Sequence, residues 1–561
     1  MLRRILRRLT APTAAPRTPE PPPPPPPDPR QVALAYHART KHYPGRYARS
    51  LGYLDWDSQP DPFRRFEGAP LHPLPRPAAD GTPPYDALFA PEAPPIRPPS
   101  IEQISAFFFY SMALSAWKEV EDTRWSLRVN PSSGNLHPTE AYLVAPALPG
   151  LHDRPALYHY APKEHALERR LELDPARFAA LTAGLPPGSM LVGLTSIHWR
   201  ESWKYGERAY RYCQHDVGHA LGALRLSAAA QGWQLRELSD AEDAAIARLL
   251  GTDRPEARPE GDEEHPDLVA VLSPAPAPGW SLPDTSLSGP WLGRANRLSA
   301  DHQSWEVIEV VAEACARPAG LSPLLTADPV RIPPSPPRPA RFGAIARQRR
   351  SAVAMDGHTG MESAAFFALL RRLVPAHCPS PYDALPGPPR VHLGLFVHRV
   401  QGLPPGLYAL ARANAAVPRL RAGMRPQFRW ERAPQCPEDL DLFLLHEADV
   451  RGISARVSCG QSIAADGAFS LGMLAELGSA IAEHGAWFYP RLFWECGLVG
   501  QVLYLEAEAA GLRGTGIGCF FDDSVHEVFG LSDGSVQSLY HFTIGGPVED
   551  SRLSTLPAYA D

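Results

Sequence analysis

Residues 208–233, RAYRYCQHDVGHALGALRLSAAAQGW, and residues 493–512, FWECGLVGQVLYLEAEAAGL, are two runs rich in Ala and Leu. Each run has the length of a long buried helix and is closed by a glycine, Gly232 or Gly511. An offset of 279 residues, the separation of these two glycines, aligns the runs. The identical pairs are Tyr210 and Tyr489, Gly218 and Gly497, Leu224 and Leu503, Leu226 and Leu505, Ala228 and Ala507, and Ala230 and Ala509. Composition alone can give such matches, but the neighbouring strand-like segments repeat too, and we favour a tandem duplication.

The segments around the two runs predict a mixture of strands and helices in each half of the chain. AYLVAPAL and LVGLTSI precede the first run as strand-like segments, and VHLGLFV and GLYAL precede the second. We predict further helices for IEQISAFFFYSMALSAWKEV, which begins at Ile101, and for FFALLRRL. The predicted divisions are a disordered Pro-rich tail (1–30), an N-terminal domain (31–275), a Pro-rich linker with a short helix in WEVIEVVAEACA (276–337) and a C-terminal domain (338–561).

The composition excludes several classes of protein. The 561 residues include 55 Lys and Arg against 61 Asp and Glu, and a net charge of −6 does not suit a nucleic-acid-binding surface. Seven cysteines without a CxxC pair argue against a disulfide framework and a zinc ribbon. No apolar run reaches about 18 residues, and no apolar core follows the basic N terminus as in a signal peptide. We therefore expect a cytoplasmic protein that binds neither nucleic acid nor a membrane.

Several motifs resemble those of one known family. RVNPSSGNLHPTEAYLV (128–144) and RESWKYGERAYRYCQHDVGH (200–219) resemble the SagB/ThcOx branch of the nitroreductase superfamily. RQRRSAVAMDG (347–357), GLRGTGIGCFFDD (511–523) and TIGGPVEDSRL (543–553) also resemble a nitroreductase. The resemblance implies an α+β fold with a mainly antiparallel central sheet flanked by helices, in obligate dimers that bind FMN at their interface. Two such halves in one chain would form an intrachain pseudo-dimer.

The resemblance implies a phosphate clamp for FMN in the C-terminal half. The clamp corresponds to Arg349, Arg350 and Ser351, with Val353 where a second basic residue is usual. A planar guanidinium can bind two phosphate oxygens while a serine hydroxyl donates to a third. Arg552 matches the family's terminal basic ligand of the same phosphate.

The family's Pro-Ser-Ser-x-Asn loop occurs instead in the N-terminal half, where it contributes Ser132, Ser133 and Asn135. The amide of Asn135 can both donate and accept, which suits the pyrimidine edge of a flavin. Gly518 and Cys519 correspond to the family loop whose backbone amide faces flavin N5. We expect Cys519 to be there for its size, because no histidine is evidently positioned to make it a nucleophile.

Each half thus has one part of an FMN site. The C-terminal half lacks the Pro-Ser-Ser-x-Asn loop, and residues 39–41 (Arg-Thr-Lys) match the clamp poorly at the start of the N-terminal half. We therefore expect one FMN per chain and an empty second position.

Lys204 and Tyr205 match the Lys-Tyr pair that the SagB/ThcOx branch uses near the flavin, and they are the predicted catalytic residues. On a helix, Lys204, Arg208 and Arg211 would share one face as a basic stripe facing an anion or a peptide carboxylate. The two arginines would then lower the pKa of both Lys204 and Tyr205. The alternative is a solvent-facing stripe paired with neighbouring glutamates.

No metal site is expected. His215 and His219 lie four residues apart, but no carboxylate or third ligand clearly joins them.

The expected function is that of an FMN-dependent oxidoreductase of the SagB type. The resemblance implies oxidation of a peptide or peptide-derived substrate, such as an azoline, by hydride transfer to the flavin. Its partners would be that substrate and a peptide-modifying biosynthetic complex. One alternative is an NAD(P)H-dependent nitro- or quinone reductase, and another is a flavin-free peptide-binding scaffold.

Overall fold

The structure is a computed structural model that describes residues 27–78, 81–90, 94–277, 279–325, 339–531 and 533–559. Most of the predicted tail and residues 326–337 of the predicted linker therefore lie outside the described residues.

The N-terminal half is built from short strands and the helices that cover them. Its strands are β1 (Phe66–Glu67), β2 (Leu71–Pro73), β3 (Leu114–Val120), β4 (Thr123–Arg128), β5 (Thr139–Ala145), β6 (Ala156–Ala161), β7 (Ala166–Glu172), β8 (Met190–Ser196), β9 (Gln234–Glu237), β10 (His265–Ser273) and β11 (Arg294–Ala295). Its helices are α1 (Pro29–Arg39), α2 (Ile101–Phe109), α3 (Pro175–Leu181), α4 (His198–Tyr205), α5 (Ala209–Ala230), α6 (Asp243–Leu250) and α7 (Glu306–Ala314).

The C-terminal half has the same kinds of element. Its strands are β12 (Met361–Glu362), β13 (Val391–Val397), β14 (Val400–Gln401), β15 (Gly406–Leu410), β16 (Glu431–Arg432), β17 (Leu442–Glu447), β18 (Phe469–Ala475), β19 (Arg513–Ile517), β20 (Gln537–Gly545) and β21 (Ser554–Leu556). Its helices are α8 (Phe342–Gln348), α9 (Ser363–Arg372), α10 (Val417–Gly423), α11 (Arg451–Val457), α12 (Ile463–Asp466), α13 (Leu477–His484), α14 (Phe488–Ala509) and α15 (Asp522–Phe529).

Each half contains one seven-stranded antiparallel sheet, in which six strands have the same order and the edge strand differs: β2 precedes the other strands of its sheet in the chain, whereas β16 lies between β15 and β17. The first runs β2-β7-β6-β5-β8-β10-β9 and the second runs β16-β17-β15-β13-β18-β20-β19. The offset of 279 residues also relates β8 to β18. The same offset relates the bounds of three pairs of helices: α4 and α13, α5 and α14, and α6 and α15. The predicted α+β fold is therefore confirmed, and the two similar sheets with their matching helices support the predicted duplication.

The two halves meet where α5 crosses α14. A Cβ atom on Gly218 would lie 2.2 Å from the carbonyl oxygen of Trp494, and one on Gly497 would lie 2.7 Å from the Cα of Gly218. The backbones of the two helices are thus in direct contact at equivalent glycines. Because each helix also packs on its own sheet, α5 is buried along its whole length.

The long helix predicted from Ile101 is shorter than expected. It ends at Phe109, and after a turn the chain continues as β3. The Ala113 N–H closes the turn by donating to the Phe108 carbonyl at 3.1 Å. β3 pairs with β4 on one edge and with β21, from the C terminus of the chain, on the other. Pairing with distant residues overrides the helical pattern here.

Two other boundaries differ from the sequence prediction. α1 begins at Pro29, where the side chain of Asp28 accepts from the Arg30 N–H at 3.0 Å, so residues 29 and 30 belong to a helix rather than to the tail. The predicted linker contains α7 as expected, but β11 also pairs with β1. The described part of the linker therefore packs onto the N-terminal half. No helix within the described ranges has the length and apolar character needed to cross a membrane.

Gly218→Ala and Gly497→Ala are expected to destabilise the protein. A methyl group at either position meets a backbone carbonyl oxygen within 2.3 Å, so the helices must move apart. We expect a loss of about 1–3 kcal/mol, although alanine is the better helix former. Thermal unfolding checks this, with Gly452→Ala on α11, where a Cβ meets nothing within 4 Å, as the control. Unfolding temperatures equal to that of the control variant would contradict the close crossing.

Candidate functional site

The Pro-Ser-Ser-Gly-Asn loop lies between β4 and β5 and is held by its own polar side chains. Ser132 Oγ accepts from the backbone N–H of His137 at 2.8 Å. Asn135 donates from Nδ2 to the Ser126 carbonyl at 2.9 Å, and its Oδ1 lies 3.0 Å from His137 Nε2. Both ends of the Asn135 amide therefore hold the loop, and a flavin edge would have to share them.

Lys204 and Tyr205 end α4 directly against this loop. Gly134 has φ +61°, and a Cβ there would lie 2.6 Å from the Tyr205 hydroxyl and 3.2 Å from Lys204 Nζ. The chain then turns at Gly206, with φ +54°, where a Cβ would collide with the carbonyl oxygen of Arg49. Two positions that require glycine thus bring the predicted catalytic pair to the predicted cofactor loop.

The predicted basic stripe of Lys204, Arg208 and Arg211 does not form. Arg208 and Arg211 are fully buried and form ion pairs with Asp522 of the C-terminal half, at 3.0 and 2.8 Å. The turn at Gly206 separates them from Lys204, so the three cations do not share one exposed face.

The expected lowering of the Tyr205 pKa is also wrong. Burial raises the pKa of Tyr205 well above its usual value, and the charge of Glu201 adds to the effect. Tyr205 is therefore a neutral phenol, able to donate a hydrogen bond, at any physiological pH.

Two buried carboxylates lie beneath the loop. Asp216 on α5 accepts from the backbone N–H of Ser133 at 3.1 Å and from its hydroxyl at 3.4 Å. Burial raises the pKa of Asp216 to about 7. Burial and then the charge of Asp216 raise the pKa of Glu201 well above its usual value, while Lys204 opposes the rise. Asp216 therefore changes its protonation state near neutral pH, and Glu201 keeps its proton to a higher pH than a free carboxyl group does.

The sequence missed the role of this carboxylate pair. No role was predicted for Asp216, and Glu201 is only one of the glutamates that neighbour the predicted basic stripe. The signal was available, because a carboxylate in the middle of an otherwise Ala- and Leu-rich buried helix requires a specific partner.

The clamp follows α8 and reaches across to the N-terminal half. Arg349 donates from Nε to the Val129 carbonyl and from an Nη to the Arg128 carbonyl, both at 3.0 Å. Ser351 is exposed, and its hydroxyl lies 2.9 Å from the hydroxyl of Tyr504 on α14. Clamp and loop, predicted from opposite halves, thus adjoin one another.

The surroundings of the clamp are rich in positive charge. Burial, and then the charge of Arg349, lower the pKa of Arg350 to about 10, with Arg513 and Arg347 contributing. Within the described residues neither Arg349 nor Arg350 forms an ion pair, and Glu508 pairs instead with Arg513 at 3.1 Å. An excess of guanidinium groups beside an exposed hydroxyl fits the phosphate of FMN, a dianion.

Gly518 and Cys519, which follow β19, also lie against the N-terminal half. The Tyr212 hydroxyl donates to the Gly518 carbonyl at 3.1 Å, and a Cβ on Gly518 would lie 2.5 Å from the Tyr212 ring. Tyr212 in turn packs against Tyr205, with ring centroids 4.6 Å apart. Cys519 does have a histidine beside it, because His42 hydrogen-bonds its thiol, whereas the expectation that Cys519 is there for its size stays a prediction.

Arg552 does not join the clamp in this structure. Its guanidinium pairs with Asp550 at 2.7 Å, and its side chain is 80% exposed. The chain then continues into β21 on the N-terminal half. Its role as a phosphate ligand stays a prediction.

The position that the duplication makes equivalent to the candidate site contains arginines in ion pairs with carboxylates. Residues of the candidate site have counterparts there at an offset of 279 residues. Tyr504 corresponds to Arg225, Gly516 to Glu237, Tyr212 to Arg491 and Asp216 to Glu495. Arg491 pairs with Glu237 at 2.5 Å, and Arg225 pairs with Asp383 at 2.7 Å. These contacts neutralise the guanidinium groups that a flavin phosphate would need.

One cluster in the described ranges has the spacing of metal ligands. The ligand atoms of His198, His265 and Glu309 lie within 4.8 Å of one another. The two imidazole rings are stacked, however, with centroids 4.1 Å apart and an interplanar angle of 14°. Because a metal ion lies in the plane of each ring that binds it, this arrangement favours a stacked histidine pair over a metal centre. His219, considered earlier, has its Nε2 3.2 Å from the Tyr540 hydroxyl.

Asp216→Asn is expected to change how stability depends on pH. Unfolded aspartate ionises near pH 4, whereas Asp216 has a pKa of about 7, so between these values the unfolded state binds fewer protons. Rising pH therefore destabilises the folded wild type, and Asn removes that loss. We expect the variant to gain at least about 1 kcal/mol relative to wild type between pH 5 and pH 8, measured by thermal unfolding. The exposed Asp57→Asn variant serves as the control, and a gain that does not grow with pH would contradict the buried carboxylate.

The comparisons with known proteins agree with this architecture. Residues 427–546 match the family model described as the Nitroreductase family. A protein from Anabaena variabilis described as a nitroreductase is 23% identical, with a TM-score of 0.65, over 92% of this chain and 99% of its own. Among curated proteins none matches the chain.

Two further solved structures resemble parts of the chain. A protein from Ralstonia eutropha described as a nitroreductase is 16% identical over 40% of this chain and 97% of its own, with a TM-score of 0.28. The Escherichia coli microcin synthetase McbBCD complex with truncated pro-MccB17 bound is 17% identical over 46% of this chain and 84% of that chain, with a TM-score of 0.25. The chain thus has the nitroreductase-like fold, and residues 427–546 match the Nitroreductase family itself.

Proposed function

We propose that this chain is an FMN-dependent oxidoreductase of the SagB type that binds one flavin between its two halves. The observation that carries the proposal is the contact of Arg349 with the carbonyls of Arg128 and Val129, immediately before the Pro-Ser-Ser-Gly-Asn loop. It joins the phosphate clamp of one half to the cofactor loop of the other. The match of residues 427–546 to the Nitroreductase family supports the same cofactor and reaction class.

The clamp residues have separate roles in this proposal. Arg349 is buried and already donates to two carbonyl oxygens, so it positions the clamp against the loop. Arg350, which is only partly buried, and the exposed Ser351 would bind the phosphate. Arg513 adds a further positive charge beside them.

FMN, when bound, supplies a ring that accepts hydride from a substrate carbon. The residues of this chain would orient the substrate and manage the proton that leaves with the hydride. Lys204 Nζ and the Tyr205 hydroxyl, which lie beside Gly134 of the loop, would donate hydrogen bonds to the substrate from that side. Asp216, which has a pKa of about 7, is better suited than Tyr205 to take up the proton.

The proposed substrate is a peptide or a peptide-derived azoline, on the strength of the Lys204–Tyr205 motif. The second candidate is an NAD(P)H-dependent nitro- or quinone reductase, which the Nitroreductase family match favours equally. Steady-state oxidation of NADH and NADPH with nitro and quinone acceptors separates the two. Rapid turnover with these acceptors and none with azoline peptides would select the reductase.

The purified chain is expected to bind one FMN. At the second position Arg225 and Arg491 are each paired with a carboxylate, which reduces their attraction for a phosphate. Absorbance of released flavin against protein mass gives the ratio. Two flavins per chain would contradict the asymmetry, and a protein that stays colourless after incubation with FMN would favour the scaffold alternative.

Arg350→Gln is expected to weaken FMN binding at least tenfold, because it removes one charge-assisted contact to the phosphate. The matched control is Arg225→Gln, which removes a guanidinium from the second position and should leave flavin affinity unchanged. Flavin fluorescence titration of the full chain measures both. Equal affinities for the two variants would place the phosphate elsewhere.

Lys204→Met and Tyr205→Phe are each expected to keep FMN bound and to lower turnover at least tenfold, since each removes a donor beside the loop. Lys163→Met, at an exposed lysine, is the control. Turnover on the preferred substrate and the flavin-to-protein ratio are measured together. Near-normal turnover in both variants would remove the pair from the mechanism.

A further inference from the structure

Two cysteines lie in direct contact at the edge of the candidate site. Cys459, just after α11, and Cys519, just after β19, have their sulfur atoms 2.8 Å apart. Both side chains are partly exposed. The backbone carbonyl of Cys519 accepts from Gln461 Nε2 at 3.0 Å, which ties the loop after β19 to the chain that carries Cys459.

The surroundings of the pair distinguish the two sulfur atoms. His42 Nδ1 accepts from the backbone N–H of Ala48 at 2.9 Å, so its proton lies on Nε2, from which it can donate to Cys519. The thiol of Cys459 donates to Cys519, and this bond, followed by His42 and Arg208, lowers the pKa of Cys519 to about 5. Cys519 is therefore a thiolate at neutral pH, whereas the pKa of Cys459 is raised.

None of the other cysteines shares this arrangement. All seven are free, and Cys213, Cys315, Cys378 and Cys496 are buried. The thiol of the partly exposed Cys436 is directed at backbone carbonyl oxygens.

We propose that Cys459 and Cys519 form a reversible redox pair that a hydroperoxide oxidises to a disulfide. The Cys519 thiolate attacks the terminal peroxide oxygen, so that an S–O bond forms, the O–O bond breaks and the leaving oxygen takes a proton. The Cys459 sulfur then attacks the sulfenic acid, the S–S bond forms and water leaves. With hydrogen peroxide, two thiols lose two electrons and two protons, and two waters form. A dithiol reductant reverses the change by exchange.

The proposal is independent of the bound flavin and of the substrate. A disulfide would fix the loop after β19 to the end of α11, and that loop carries Gly518, whose carbonyl accepts from Tyr212. Oxidation of the two sulfur atoms would therefore fix the position of a loop that forms one wall of the candidate site.

The test uses the full purified chain, reduced and then treated with stoichiometric hydrogen peroxide. We expect the loss of two titratable thiols, an intact mass lower by two hydrogens and full recovery with dithiothreitol. Peptide mapping after alkylation under non-reducing conditions should give one cross-linked pair containing residues 459 and 519. Retention of both thiols, or cross-links that involve other cysteines, would overturn the proposal.

Variants identify the roles of the two sulfurs. Cys459→Ser should leave Cys519 as a sulfenic acid that dimedone traps, Cys519→Ser should lose the fast reaction with peroxide, and Cys436→Ser should behave as wild type. His42→Ala should move the pH profile of Cys519 alkylation to higher pH, a shift that loss of packing alone would not produce. The titratable and charged groups facing this thiolate are Cys459, His42, Arg208, Tyr47, Tyr205 and Tyr212, and Asp522 acts on Cys459. Disulfide formation that persists in Cys519→Ser would exclude it as the attacking thiol.

Discussion

The contact between Gly218 and Gly497 is the constraint on which the rest of the structure depends. A Cβ on either glycine would overlap the backbone of the other helix, so α5 and α14 can cross at this distance only with glycine at both positions. Because each helix is fixed to its own sheet, the crossing sets how the two halves face one another. It brings Asp216 on α5 and Tyr504 on α14 to the same side, where the loop and the clamp then meet.

Two halves of the same design would give two equivalent clefts, and the charges in the clefts make them different. In one, Arg349 and Arg350 lack an ion-pair partner within the described residues, and Asp216 beneath the loop has a pKa of about 7. In the other, Arg491 and Arg225 are each matched by a carboxylate at short range. Because the arginines of the second cleft are neutralised by carboxylates, that cleft attracts an anion only weakly. The first cleft keeps an excess of positive charge.

The sequence predicted the features whose signal is local. Both long helices, the glycines that close them and the strands VHLGLFV and GLYAL were all predicted, because each depends on periodicity within one segment. The resemblance supplied the clamp, the loop and the Lys204–Tyr205 pair. The sequence did not predict β3, which forms only by pairing with β4 and with β21 from the far end of the chain.

Electrostatics is where the sequence prediction failed, and the reason is physical. Arg208 and Arg211 were expected to form a basic stripe with Lys204 and to lower the pKa of Tyr205, yet their partner, Asp522, lies more than 300 residues away. Once that ion pair is buried, its charges compensate one another, and desolvation sets the pKa of Tyr205. A like argument applies to Cys519, whose partners, His42 and Cys459, both come from distant segments. In an interface between repeated halves, the protonation states are decided by residues that the chain brings together only when both halves have folded.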